Sequence, residues 1–342
     1  MSLKIIKKQD MDSFVSSLMT QYEVMGPVER ESKFIFAPIS HSAQLRLDYN
    51  TSILPPKKVL LPQQETLFAF RTDGGFSVQP ALDIHRRVLL GVHTCDLHAM
   101  KLLDSVFTKG YSDGHYLARR ENTIIVGIEC LMPCDEHSFC KSMGTLSASE
   151  VHDLHLTDLG DAYAVDQSTS TGEMLLARHG RARDATREDM LRLDKVLSEK
   201  WPRFQYKLDF DAAELPSLMA VSYKKPLWDE LGNRCLACGQ CTTVCPTCYC
   251  FNVLDEVEMD GKSGVRKRVW DSCQLEEFAR VATGENFRKT RAQRQRHRFF
   301  RKGKYIPDNH GELGCVGCGR CARSCLVDIT PVSVWNALYQ AR

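Results

Sequence analysis

The sequence predicts an α+β protein in which an N-terminal α/β domain precedes a smaller, cysteine-rich C-terminal domain. Residues 87 to 130 run as a buried strand, an amphipathic helix and a second buried strand, which is typical of one βαβ unit. A short cysteine motif also occurs twice after residue 232. A chain of 342 residues has room for two or three domains. We therefore expect an α/β domain over 1–184, a helical connector over 185–231 and the cysteine-rich domain over 232–342.

Hydrophobic spacing predicts the elements of the α/β domain in chain order. Helices are expected over 11–22, after an aspartate cap, and over 96–107. Strands are expected over 33–39, 58–62, 66–70, 87–92 and 122–130. The glycine-containing run at 71–75 predicts a hairpin turn, and the weaker pattern of 151–170 allows one hairpin through 159–161.

The connector and the region between the two cysteine motifs are predicted in the same way. Helices are expected over 185–200 and 214–231, the second broken near Pro226 and ended by Gly232. Between the motifs, alternating residues predict a hairpin around Asp260 and Gly261, followed by a helix over 274–282. The cysteine-rich domain therefore carries an inserted hairpin and helix.

Composition excludes several classes of protein. Apolar residues make up 43% of the chain and charged residues 26%, without an apolar run long enough for a membrane span, so disorder and a membrane partner are not expected. The first residues lack the apolar segment of a secretory signal, so we expect a cytoplasmic protein. In that reducing compartment, fifteen cysteines favour metal ligation over disulfides.

Eight of the cysteines form two quartets with the spacing C-x2-C-x2-C-x3-C. The first is Cys235, Cys238, Cys241 and Cys245; the second is Cys315, Cys318, Cys321 and Cys325. Three thiolates at this spacing wrap one [4Fe-4S] cluster and the fourth ligates the other cluster. Cys325 is therefore expected to complete the first cluster and Cys245 the second. Zinc sites usually pair two C-x2-C knuckles across a spacer, so iron is favoured.

The quartets predict a ferredoxin-like domain with two [4Fe-4S] clusters. Gly239 and Gly319 occupy the same position in both copies, where the chain must turn tightly. Leu326 stands where a proline usually follows the fourth cysteine, a change that removes no ligand.

Seven cysteines lie outside the quartets, and they are candidates for a third [4Fe-4S] cluster. Cys95 and Cys130 follow the two strands of the βαβ unit, and the carboxyl ends of parallel strands meet at one edge of a sheet. The candidate ligands are Cys95, Cys130, Cys140, Cys248, Cys250 and Cys273, with Cys134 in reserve. The alternative is that these thiols are buried filler in the core.

Four sequence blocks resemble those of one protein family. HTCDLHAMKLLD, CLACGQCTTVCPTCYC, RVWDSCQ and GCVGCGRC are similar to the beta subunits of cytoplasmic sulfhydrogenases, the NAD(P)-linked nickel–iron hydrogenases, and less closely to the corresponding iron–sulfur subunit of anaerobic sulfite reductases. The resemblance implies an electron-transfer subunit between a flavin subunit that meets NAD(P)H and the small and large hydrogenase subunits, or the catalytic subunit of a sulfite reductase. Where the family pattern has a cysteine, this chain has Ser138, a poor ligand for iron.

The segment 288–304 holds nine lysines and arginines and no acid. It is interpreted as support for anionic clusters or as a docking site for an acidic redox partner. The alternatives are a solvated face and a nucleic-acid site. An iron–sulfur sensor or nucleic-acid-binding protein is the competing hypothesis from another functional class, although a nucleic-acid partner is not expected.

Substrate chemistry is expected on partner subunits, and no catalytic residue is assigned to this chain. Neither a G-x-G-x-x-G turn opening a helix nor a P-loop occurs, so nicotinamide and flavin are assigned to partners. Histidines near the βαβ cysteines are interpreted as structural polar groups, with iron ligation or proton relay as the alternative. They are His93, His98, His115 and His137.

Overall fold

The computed structural model describes residues 3–342. The strands are β1 (Lys4–Lys7), β2 (Glu23–Arg30), β3 (Lys33–Pro38), β4 (Gln64–Arg71), β5 (Ser77–Pro80), β6 (Arg87–His93), β7 (Thr123–Ile128), β8 (Leu154–Asp158), β9 (Ala162–Gln167), β10 (Arg183–Asp184), β11 (Phe251–Val257) and β12 (Ser263–Trp270). The helices are α1 (Met11–Met19), α2 (Lys57–Leu60), α3 (Thr94–Thr108), α4 (Gly114–Glu121), α5 (Ser170–His179), α6 (Arg187–Lys200), α7 (Leu215–Val221), α8 (Leu227–Arg234), α9 (Gln240–Thr243), α10 (Arg291–Phe300), α11 (Ile306–His310), α12 (Arg320–Arg323) and α13 (Pro331–Gln340).

An eight-stranded sheet forms the centre of the N-terminal part, in the order β10-β1-β9-β8-β7-β6-β2-β3. The four inner strands β8, β7, β6 and β2 run parallel to one another. On either side of them, β9 pairs antiparallel with β8 and with β1, and β3 pairs antiparallel with β2. Every residue of β6 is buried, as expected for a parallel strand covered on both faces. The predicted βαβ unit is confirmed, and the carboxyl ends of β6 and β7 lie side by side, with His93 opposite Ile128.

Apolar clusters cover both faces of this sheet. Phe14 and Leu18 of α1 and Leu175 of α5 pack in one cluster with strand residues. Leu97 and Met100 of α3 pack in another. The second cluster fixes α3 against the sheet, and it holds the first turn of this helix at the edge where β6 ends.

A four-stranded antiparallel sheet, in the order β11-β12-β4-β5, joins the two halves of the chain. The predicted hairpin around Asp260 and Gly261 is confirmed as β11 and β12, and β12 pairs with β4 of the N-terminal half. At its base the buried Glu65 carboxylate accepts hydrogen bonds from Arg119 of α4 and Arg268 of β12, at 2.5 and 2.7 Å. The predicted domain boundaries stay a prediction, and this sheet contains strands from both sides of them.

Two predicted elements are wrong, and local contacts explain both. Residues 58–62 were expected to form a strand, but Pro56 caps the short helix α2, and the buried Lys57 Nζ donates to the Cys248 carbonyl at 2.5 Å. The helix expected over 274–282 is a single 3-10 turn, Glu277–Ala279. The Asn286 side-chain amide donates to the Glu276 carbonyl at 2.6 Å. In an α-helix this carbonyl would instead accept a hydrogen bond from a backbone amide, so the side chain competes with helix formation.

The cysteine-rich part packs around a separate apolar cluster that includes Trp228 of α8, Phe299 of α10 and Trp335 of α13. The break predicted near Pro226 is confirmed, since α7 ends at Val221 and α8 begins after this proline. Gly232 does not end α8. A Cβ at this position would lie 2.6 Å from the Ala292 backbone nitrogen, so the glycine allows α10 to pack closely. Within residues 3–342, no helix is long and apolar enough to cross a membrane.

Candidate functional site

The two cysteine motifs fold into the same local structure. Gly239 and Gly319 have φ angles of 77° and 74°, and each caps the N-terminus of a short helix, α9 or α12. Ala237 and Gly317, which precede the second cysteine of each quartet, also have positive φ, at 54° and 68°. The repeated sequence therefore builds the same tight turn twice, as predicted for the glycines.

The first cavity brings together thiols from both motifs. Its lining includes Cys235, Cys238 and Cys241 of the first motif and Cys325 of the second. Three donors point at these thiols: the backbone amides of Ala237 and Ile329, each 3.3 Å from a sulfur, and the Gln295 side-chain amide, 2.9 Å from Cys235 Sγ. This grouping is the one that the crossed pairing of the quartets requires.

The second group of thiols contains Cys315, Cys318 and Cys321 of the second motif, all of them half-buried. Burial raises the pKa of Cys318 to about 12, and Cys245 of the other motif acts on it through its charge. Burial likewise raises the pKa of Cys315, and Cys321 and Cys245 add to the shift. Cys245 thus lies within electrostatic reach of the first three cysteines of the second quartet, and Thr247, whose hydroxyl oxygen is 3.2 Å from Cys245 Sγ, donates to the carbonyl of Gly314 beside Cys315. The first predicted ligand set therefore shares one cavity, and the members of the second set lie close enough to act on one another through their charges.

Two buried cationic side chains lie close to these thiols. Arg298 lies in α10 and lines the first cavity, and Lys302 lies one turn further on in the π-helical turn Arg301–Tyr305. Burial opposes the charge on Arg298, but Cys241 and Cys321, one from each group, raise its pKa. The Lys302 Nζ donates to Thr247 Oγ1 at 2.6 Å. The basic segment therefore supplies charge to the site from its buried face.

The remaining side of the basic segment has a different role. Arg294 is also buried and donates to the backbone carbonyls of Arg288 and Lys289 at 3.2 and 2.8 Å, which closes the loop before α10. Arg296 is partly exposed and stacks on Tyr223, with its guanidinium carbon 4.0 Å from the ring centre. Three of the nine charges in this segment, Arg294, Arg298 and Lys302, face the interior, so they are not available for the docking role that the sequence suggests as one interpretation.

The chemistry of this donor set fits iron–sulfur clusters. Four thiols at each site, backbone amides aimed at sulfur and buried cations with few carboxylates nearby would stabilise an anionic cluster. A bound cluster supplies one-electron chemistry, and the protein sets its potential through hydrogen bonds, charge and burial. All fifteen cysteines are free thiols in the structure, so they are open to ligation.

Four of the remaining thiols lie at the edge where β6 and β7 end. Cys95, Cys130 and Cys140 share an apolar cluster with Val316 and Cys318 of the second motif. Cys134 joins them, since Cys130 and Cys140 both act on its charge and its Sγ lies 3.8 Å from His93 Nδ1. This placement is the one that the βαβ unit predicts for its strand-end cysteines, and it adds the cysteine held in reserve.

The other three thiols lie in a separate place. Cys250 and Cys273 flank the β11–β12 hairpin and hydrogen-bond each other, and the Gln274 amide lies 3.5 Å from Cys273 Sγ. Cys248 hydrogen-bonds Cys245 of the second ligand set. The six thiols expected to converge on a third cluster therefore fall into two groups, three at the sheet edge and three beside the hairpin.

Other predicted residues have ordinary structural surroundings. Burial lowers the pKa of His93 to about 4, and its ring stacks on Tyr49 with the centres 4.2 Å apart. The ring of His98 lies 3.0 Å from the Ser147 carbonyl, and Ser138 donates to Asp135 Oδ1 at 3.1 Å. Sequence reasoning missed the hydrogen bond from Gln295 to Cys235 and the buried ion pair of Arg320 with Asp96, whose charged atoms lie 2.7 Å apart. The spacing of Arg294, Arg298 and Lys302, four residues apart, was the available signal for an inward-facing basic stripe.

Comparisons with known proteins agree with this arrangement. Residues 234–329, which contain both quartets, match the family described as the 4Fe-4S dicluster domain. The chain is 35% identical over 321 residues to Sulfhydrogenase 2 subunit beta of Pyrococcus furiosus, an alignment that covers 94% of this chain and 93% of that relative. The comparison with solved structures returns no match.

Proposed function

Because the chain belongs to the family of sulfhydrogenase beta subunits, we propose that it is the subunit that carries electrons through a hydrogenase complex. The resemblance drawn from the sequence is confirmed by the 35% identity over nearly the whole chain, and the dicluster domain makes this an iron–sulfur protein. In this proposal one partner is a flavin subunit that meets NAD(P)H, and the other is a nickel–iron hydrogenase module. The predicted cytoplasmic location stays a prediction.

The observation that carries the proposal is the crossing of the two motifs. Cys325 lies in one cavity with Cys235, Cys238 and Cys241, and Cys245 lies with the second quartet. Each cluster held in this way takes ligands from both motifs. The fold of the two motifs therefore fixes the distance between the clusters. We therefore propose two [4Fe-4S] clusters with these ligands, side by side beneath α10.

We further propose that Cys95, Cys130, Cys134 and Cys140 hold a third [4Fe-4S] cluster. These four thiols meet at one sheet edge and lie beside Cys318 of the second ligand set. The nearness of Cys140 to both Cys130 and Cys318 is seen in their joint effect on its pKa, which burial raises. A cluster there would extend the line of clusters from the cysteine-rich part into the N-terminal part.

The experiment that tests the function is reduction of the clusters inside the isolated complex. The chain is purified without oxygen with an affinity tag, together with the subunits that accompany it. On addition of NAD(P)H, and separately of hydrogen gas, we expect the iron–sulfur absorbance to bleach and reduced-cluster signals to appear in electron paramagnetic resonance spectra. Clusters that dithionite reduces but neither NAD(P)H nor hydrogen reduces would contradict the proposal.

The same preparation tests the second candidate, the iron–sulfur subunit of an anaerobic sulfite reductase, and the competing sensor or nucleic-acid-binding function. A sirohaem-containing partner and oxidation of the clusters by sulfite would favour the sulfite reductase. Nucleic acid bound in stoichiometric amount would favour the third hypothesis. The identity with a sulfhydrogenase beta subunit supports the hydrogenase assignment.

A further inference from the structure

The two copies of the cysteine motif have the same backbone turn but different surroundings. In the second copy, Val316 is 4% exposed, whereas Leu236, which occupies the same position in the first copy, is 56% exposed. Cys238 is likewise exposed, and its counterpart Cys318 is half-buried. One turn is therefore covered by protein, and its twin faces outward.

The backbone of the second copy is covered by the segment 139–145 of the N-terminal part. The Phe139 amide donates to the Gly317 carbonyl at 2.8 Å, and a Cβ at Gly317 would lie 2.6 Å from the Cys140 Cα. The Thr145 hydroxyl closes the contact by donating to the Val316 carbonyl at 2.6 Å. Cys140 belongs to this segment. The covered turn is therefore also the place where the thiols at the sheet edge approach the second motif.

The uncovered copy is surrounded by exposed leucines. Leu236 and Leu326 line the first cavity, and Leu326 is 77% exposed at the position where a proline usually stands. Leu275 is 42% exposed, and its Cδ2 would lie 3.7 Å from a Cβ at Gly239. Exposed apolar residues grouped around a cavity mark interaction sites more often than scattered ones do.

We infer that Leu236, Leu275 and Leu326, the leucine rim around Cys238, are the surface on which a redox partner subunit docks. The partner is a protein that carries its own redox centre, since the equivalent turn of the second copy is covered by a segment that carries thiols. The inference rests on the proposed electron-transfer function and names the surface through which electrons pass to or from the first ligand set. An apolar contact there excludes water and shortens the path between the two centres.

The test replaces leucines of the rim with a charged residue in the isolated complex. The variants are Leu326→Glu and Leu275→Glu, and the matched control is Met259→Glu, a fully exposed apolar residue at the tip of the β11–β12 hairpin. Because Leu275 lies outside the cysteine motifs, its variant probes the surface even if Leu326→Glu disturbs a cluster. Iron content, resonance spectra and the rate of reduction by dithionite are measured first, followed by reduction by hydrogen gas and by NAD(P)H.

We expect Leu275→Glu to keep its iron and its dithionite reduction, and both rim variants to lose roughly tenfold or more in the rate driven by one of the two physiological donors. The donor that is affected identifies the partner on this surface, and the control keeps both rates. Unchanged rates with both donors in Leu275→Glu and in an iron-replete Leu326→Glu would overturn the inference. A wild-type complex that neither donor reduces would instead overturn the proposed function.

Discussion

The Gln295 side-chain amide donates a hydrogen bond to the Cys235 sulfur over 2.9 Å, and both residues are buried. Gln295 is held in place from α10, where the Arg298 guanidinium donates to its side-chain oxygen at 3.4 Å. One face of this helix thus presents a neutral donor and a cation to the first cavity. Donors and positive charge both favour the reduced, more negative state of an iron–sulfur cluster.

Replacing Gln295 with leucine removes the donor and leaves a side chain of similar reach. We expect the reduction potential of the first cluster to fall by tens of millivolts, in order of magnitude, because its reduced state loses a hydrogen bond. The potential of the second cluster should stay the same. A redox titration followed by electron paramagnetic resonance measures both. Equal shifts of the two clusters, or none, would show that this contact does not act on the first cluster.

Replacing Arg298 with methionine removes a buried charge that acts on Cys241 and Cys321, one from each ligand set. We expect the potentials of both clusters to fall, because both lose the same nearby cation. Arg298→Lys keeps the charge and is the matched control, with smaller shifts expected. The same titration is used. A fall confined to one cluster would contradict the position of Arg298 between the two groups.

The sequence predicted the quartets and their crossing because these depend on short spacing. A motif of eleven residues with glycine at the turn leaves the chain few ways to fold, and a repeated motif folds alike twice. The strand-end position of Cys95 and Cys130 was also predictable, since it follows from the βαβ unit alone. These parts of the site depend on local structure and on one rule of sheet geometry.

The rest of the site depends on contacts between distant segments. The predicted convergence of six thiols required the hairpin to pack over the sheet edge, but β12 instead pairs with β4, which places Cys250 and Cys273 elsewhere. Their pairing with each other had a local signal, because a hairpin centred on residues 260 and 261 brings its two ends together. The inward direction of Arg298 could not be read from charge alone, since a cation is normally exposed unless it has partners.

Replacing Cys325 with serine tests the crossed pairing. Since Cys325 lies in the cavity of Cys235, Cys238 and Cys241, we expect damage to the first cluster rather than to the cluster nearer in sequence. Cys321→Ser is the matched control and should damage the second cluster. Iron content and resonance spectra of the two variants are compared with those of the wild type. Loss of the same cluster in both variants would contradict the crossing.

The ion pair of Arg320 with Asp96 tests how the two parts of the chain are held together. Two hydrogen bonds of 2.7 Å join the buried side chains, and Arg320 also donates to the Ser52 carbonyl at 3.1 Å. Removing one partner of a buried pair leaves an unpaired charge, so we expect Asp96→Ala to lower the free energy of unfolding by about 3–5 kcal/mol.

The control for this pair is the more exposed ion pair of Arg323 with Asp135, for which Arg323→Ala should cost about 1 kcal/mol or less. Denaturant unfolding under anaerobic conditions, with iron content measured alongside, compares the two variants. Similar losses of stability would show that the buried pair is not an important link between the two parts.

The third cluster is tested by counting iron in variants of the two thiol groups. Cys95, Cys130, Cys134 and Cys140 supply four thiols at one edge, whereas Cys250 and Cys273 lie beside the hairpin and hydrogen-bond each other. We expect about twelve irons per wild-type chain, on four irons per cluster, and about eight in the Cys130→Ala, Cys140→Ala double variant. Because the hairpin pair is not among the proposed ligands, the matched Cys250→Ala, Cys273→Ala variant should keep about twelve. About eight irons in the wild type would show that the thiols at the sheet edge hold no cluster and only pack in the core. A loss of about four irons in the hairpin variant alone would move the third cluster to the hairpin.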